Sequence, residues 1–224
     1  MYKIEILFGL GVLITWTSEG FGAYIKYYSN LIGRQITGIT LVQSIGVFSR
    51  IGYFLQAFAI AWILDKNLYS NNRFYIVIYG ELIILIGLII LSRFGLILSK
   101  YIYIIHSKLK IIDKLNIEHI KIDKIVFKRP KLIQVIAYIF LYLGAFFPLY
   151  LQLLYSDFAA RSIALSGIIN GVSTLILISY IDIKYANQIE GNGESILQEE
   201  LIAARYVALI ILISMQSLIY LCIK

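Results

Sequence analysis

Residues 36–64, ITGITLVQSIGVFSRIGYFLQAFAIAWIL, decide the fold class. The stretch carries one charge, Arg50, at its centre and is otherwise apolar or small. About 20 such residues are enough for a helix to cross a hydrocarbon core of roughly 30 Å. The run lacks the alternating pattern of a barrel strand, so a helix must satisfy its backbone in lipid. At 29 residues it is longer than a bilayer needs, so it tilts or projects.

Five more runs of the same kind surround it, at residues 4–24, 74–98, 132–155, 162–181 and 201–223. Lys3 and the small residues near Gly20 give the first run some likeness to a signal peptide. Its 21 apolar-rich residues exceed the usual hydrophobic region, however, and Glu5 stands near its start, so it is read as a span. The expectation is an all-α integral membrane protein with six transmembrane helices in a single membrane domain, residues 1–224. Residues 1–98 form a first three-helix half, 99–131 a basic cytoplasmic linker and 132–224 a second half. The whole composition agrees. Of 224 residues, 60% are apolar and 15% charged, against about half and about one-quarter in soluble domains. One cysteine excludes a disulfide framework and a cysteine-rich metal site.

Orientation follows from lysine and arginine. Lys26, Arg34, nine basic residues between Lys100 and Lys131, Lys184 and Arg205 fall on one side of a six-span layout. Lys3, Lys66, Arg73, Arg161 and Lys224 fall on the other. Thirteen against five puts the first group in the cytoplasm and both termini outside, although the linker supplies nine of the thirteen. That linker interleaves Ile and Leu with Lys. It reads either as an in-plane amphipathic helix on anionic lipid or as a connector obeying the same charge rule. No nucleic-acid module is recognisable in it, and His106 and His119 stand singly among lysines, as solvated histidines do rather than metal ligands.

Ionisable groups inside a span are expensive and therefore mark candidate sites. Arg50 is 14 residues from either end of its run, about 21 Å of helix, too far to snorkel. It should face protein or water with an anionic partner, for which Glu19 and Glu81 are the candidates. Gln43, Gly46, Tyr53 and Ala57 share its face, whereas Gln56 points elsewhere. Arg93 lies about 8 Å from its run's end and reads as a snorkelling anchor. The fifth run carries Ser166, Asn170, Ser173 and Thr174 along one stripe, with Gly167 and Gly171 spaced for close helix approach. Hydroxyls and glycines at this spacing are common packing devices, but a mid-span Asn170 amide needs several partners.

Arg34 precedes Gln43 by nine residues, as Arg161 precedes Asn170. Either this is coincidence in an asymmetric bundle, or the halves are an inverted repeat with a site at the midplane. Phosphate-binding loops, zinc-protease and nucleophile-elbow motifs are absent, so no catalytic residue and no cofactor are assigned. Ser195 and Gln198 read as a capping box, and Cys222 as packing.

Two blocks resemble the Amj-type lipid II flippase family. Thr40, Leu41, Gln43, Ser49, Arg50, Gln56 and Ala57 are similar to its second-helix block, and Leu165–Asn170, Gly171 and Thr174 to its LSGIINGxAT segment. The family usually has Asn at Tyr53, Pro at Phe58 and Asp-Pro at Asp182-Ile183, so the chain looks like a divergent branch. The resemblance implies a flippase of the bacterial cytoplasmic membrane. It would translocate undecaprenyl-pyrophosphate-linked cell-wall precursor, lipid II or a related lipid-linked sugar. Arg50, Asn170, Gln43, Gln56, Ser166 and Ser49 are the expected headgroup-binding residues, with Glu19 or Glu81 balancing Arg50. Anionic lipids and cell-wall synthesis proteins are the expected partners. A small ion or solute transporter and a non-transporting scaffold are the alternative readings.

Overall fold

The computed structural model describes residues 2–66, 68, 73–108, 129–154, 159–183 and 196–223. Among them there are six helices and no strand: α1 (Tyr2–Leu31), α2 (Gln35–Asp65), α3 (Arg73–Lys108), α4 (Leu132–Leu154), α5 (Ala159–Ile176) and α6 (Ile196–Ile223). A π-helical turn, Leu177–Asp182, continues α5. The core of the linker with His119, Asp157, Lys184 and Ser195 lie outside the described residues, as do the side chains of Arg161, Asp182, Gln198 and Cys222.

Five of these helices are long and apolar enough to cross a membrane, making this a multi-pass all-α membrane protein. In α5 the apolar stretch among the described residues is Leu165–Ile176. The surface agrees with a bilayer as solvent. Phe54, Ile168 and Leu175 are 64 to 70% exposed, and many other large apolar side chains face outward.

Helices α1 and α2 form an antiparallel hairpin through a tight turn in which Gly33 takes φ +67°, a conformation costly for other residues. The two cross closely at Gly11 and Gly52. A Cβ on Gly52 would lie 2.5 Å from the Thr15 backbone nitrogen, and one on Gly11 2.5 Å from that of Gln56. This, rather than Gly167 and Gly171, is where small residues bring backbones together. Nothing lies within 4 Å of a Cβ on either of those two, so the expected close approach does not occur among the described residues.

Helix α3 runs ten residues beyond the expected apolar limit. Ser99 Oγ donates back to the Gly95 carbonyl at 2.8 Å, and buried Tyr103 packs against Tyr28 with ring centroids 5.5 Å apart. In each half the first helix packs against the other two: α1 against α2 and α3, α4 against α5 and α6. The halves meet through α1, α3, α4 and α6, while α2 and α5 touch only sparsely.

Candidate functional site

A cavity of about 610 Å³ lies between the halves. Five helices and the π-helical turn line it, chiefly through Glu19 and Lys26 of α1, Ser49 and Tyr53 of α2, Tyr138 of α4, Asn170 of α5 and Arg205 of α6. Its α2 wall uses Val42, Gly46, Ser49 and Tyr53, spaced four, three and four residues apart, so one helical stripe faces the space. Lys26 and Leu201 lie near the ends of α1 and α6 that adjoin the linker side. Glu19 and Asn170 lie deeper.

Arg205 dominates the chemistry. It is 8% exposed, and its guanidinium stands 4.7 Å from the centroid of the Tyr138 ring. A desolvated cation over an aromatic face gains about 2 kcal/mol, whereas burying a charge costs several. Its Nε and Nη1 atoms have no hydrogen-bond partner among the described residues. Glu19 attracts it electrostatically across the cavity without closing an ion pair. That carboxylate is held in place by Ser49 Oγ, which donates to Oε1 at 3.1 Å, and by the Tyr53 hydroxyl. The cavity is therefore lined by a fixed acceptor and a buried cation, a combination suited to an anion that also carries hydroxyl groups.

Stacked aromatics fix these groups. Tyr53 meets Trp16 edge-on at 6.0 Å, Trp16 meets Tyr142 at 4.7 Å, and Tyr142 stacks on Tyr138 at 6.3 Å. Trp16 and Tyr142 are fully buried. Three helices thus share one aromatic chain from Tyr53 to the platform beneath Arg205 of a fourth.

The expected pairing of Arg50 with a carboxylate is not what the structure shows. Arg50 is exposed and pairs with neither Glu19 nor Glu81, because the close hairpin turns Ser49 and Tyr53 inward and leaves position 50 on the adjoining outer stripe. Gln43 is likewise exposed. Glu81 is buried elsewhere, accepting from Gln216 Nε2 at 2.6 Å, and interacts with Tyr150. Gln56 is buried and donates to the Ala145 carbonyl at 3.4 Å.

Gln56 and Ser166 line a second cavity of about 100 Å³ that shares Tyr53 and Asn170 with the first. Asn170 belongs to both, and it fits against α4 because residue 144 is glycine, whose missing Cβ would collide with the Asn170 amide. Arg93 is exposed, and because α3 runs on to Lys108 it stands 15 residues, about 22 Å, from the helix end rather than the 8 Å expected of an anchor. His106 bonds the Ile102 carbonyl at 2.9 Å.

Sequence reading missed Arg205 as a site residue. Arg205 is counted with the charges flanking the apolar run that begins at Leu201, although the Ser195–Gln198 capping box sets the helix start earlier. The helix begins at Ile196, which puts Arg205 about 14 Å along it. The signal available was Glu199 with Glu200, acidic residues suited to a helix start. No family model matches the chain, and neither a curated protein nor a solved structure matches it.

Proposed function

We propose that the protein is a flippase for a phosphate-bearing lipid. It carries the headgroup of an undecaprenyl-pyrophosphate-linked cell-wall precursor, lipid II or a related lipid-linked sugar, across the bacterial cytoplasmic membrane. The observation that carries this reading is buried Arg205, which lines a cavity inside a membrane bundle and has two nitrogens without a hydrogen-bond partner among the described residues. A guanidinium binds phosphate through paired, permanently charged donors, and phosphate oxygens would supply the acceptors that Arg205 lacks. The cavity is within the range of about 300 to 1,000 Å³ usual for ligand sites, room for a sugar phosphate. Glu19 and Asn170 are placed to hydrogen-bond sugar hydroxyls, and Tyr53 with Asn170 divides the two cavities. No chemical step on the substrate is required.

The resemblance in the α2 and α5 blocks supports the same activity, with Arg205 in the role first expected of Arg50. Both termini outside would put the Lys26 end of the cavity at the cytoplasmic face, where such precursors are made. The matching neighbours of α1 and α4 support an inverted repeat, and transporters so built hold their site at the repeat interface. The basic linker would rest on anionic lipid, and cell-wall synthesis proteins are the expected protein partners.

The test is reconstitution in proteoliposomes with a labelled polyprenyl-linked sugar phosphate. Protein-dependent exposure of the headgroup to an external enzyme is expected, without electrical current from simple ions. Currents or solute uptake with no lipid movement would favour the ion or solute transporter instead.

A further inference from the structure

The cavity has a side as well as an end. On α2, Arg50 is four residues past Gly46 and three before Tyr53, both of which line the cavity, and Gln43 is three before Gly46. Residues three and four apart are neighbours on a helix, so Arg50 and Gln43 form the stripe beside the cavity wall. That stripe is exposed, and so are Val47, Ile51 and Phe54 beyond it, at 50 to 70%. Gly46 of α2 and Gly167 and Gly171 of α5 have open space where a Cβ would be. Helices α2 and α5 both line the cavity yet touch only sparsely, which leaves a slot between them beside this exposed stripe.

Arg50 is 15 residues from either end of α2, about 22 Å of helix, so its charge cannot reach water along the helix. Among the described residues no side chain pairs with it. A cation at that depth is costly in lipid, and an anion that itself belongs in the bilayer would offset the cost. Buried Arg205, with Nε and Nη1 unpartnered, stands inside the same cavity as a second cation for that anion.

We propose that the cavity is loaded sideways from the bilayer through the α2–α5 slot, and that Arg50 with Gln43 is an outer station for the substrate's phosphate. The ligand class is a phosphate linking an isoprenoid tail to a polar headgroup. The headgroup passes inward to Arg205 while the tail stays between α2 and α5. This rests on the flippase reading above and adds its route.

The experiment uses the full chain, wild type and Arg50→Gln, Arg50→Lys, Gly171→Leu and Arg205→Gln. Flipping of a polyprenyl-linked sugar phosphate is measured in proteoliposomes, and binding of the same sugar phosphate without a tail is measured in detergent. Arg50→Gln and Gly171→Leu are expected to lower flipping about tenfold, the loss of one charged hydrogen bond or of the passage. Their affinity for the tail-less probe falls less than that of Arg205→Gln, and the binding they retain also shows that they fold. Arg50→Lys retains part of the flipping, and Arg205→Gln loses flipping and binding together. Wild-type flipping by both Arg50→Gln and Gly171→Leu would overturn the sideways route and leave the flippase reading standing. No flipping or binding by wild type would overturn that reading and the route with it. A dimer that Arg50→Gln splits without slowing flipping would make this face a contact between copies and also overturn the route.

Discussion

Arg205 and Arg50 differ in azimuth more than in depth. Both stand well inside helices, yet one is packed over Tyr138 in the bundle and the other faces outward. Sequence gives how far a residue is from a helix end. It does not give which neighbour its face meets, and that was decided here by the Gly11–Gly52 crossing, which turns Ser49 inward and Arg50 out. Glu19 was legible as a charge needing a partner, but the partner is a cation from the far half of the chain. Replacing Arg205 with Lys is expected to leave a fraction of headgroup binding, because an ammonium keeps the charge but not the planar fork, while Gln removes both. Binding of a soluble sugar phosphate, wild type against the two variants, orders them and checks this. Asn170 is a positional case. Gly144→Val is expected to push its amide out of place, lowering flipping with a smaller change in binding at Arg205, readable from the same two assays.

The helices themselves were largely readable from hydropathy, since a bilayer demands long apolar helices and little else. The limits of α2 and α4 agree with the expected runs to within a residue. The misses have local causes. Helix α3 passes Lys100 because Tyr103 turns inward onto Tyr28, which an apolar count cannot anticipate. The small pair on α5 was noticed, whereas the closest contact uses single glycines on two helices, a pairing invisible along one chain. Gly52→Leu is therefore expected to destabilise the hairpin by about 1 to 3 kcal/mol through overpacking against Thr15, measured as a lower midpoint of heat-induced loss of monodisperse protein in detergent. Gly46→Ala, with nothing within 4 Å, is expected to leave that midpoint unchanged.

The described helices pack around a polar space and carry apolar side chains on their outer faces. The six-part layout and scarce charge were plain in the composition; the cavity was not, because it is built from α1, α2, α4, α5 and α6 at once. Orientation belongs to this scale. Cysteines placed at the amino terminus and at residue 68, tested with a membrane-impermeant reagent on intact cells, are expected to react at both positions, while one at Gly33 does not. The account's central claim is that Arg205 takes the phosphate of a lipid-linked headgroup. The most direct measurement is outer-leaflet accessibility of undecaprenyl-linked headgroup in cells depleted of their other flippases. Wild-type protein should restore accessibility and Arg205→Gln, expressed to the same level, should not. Equal restoration by both would contradict the claim.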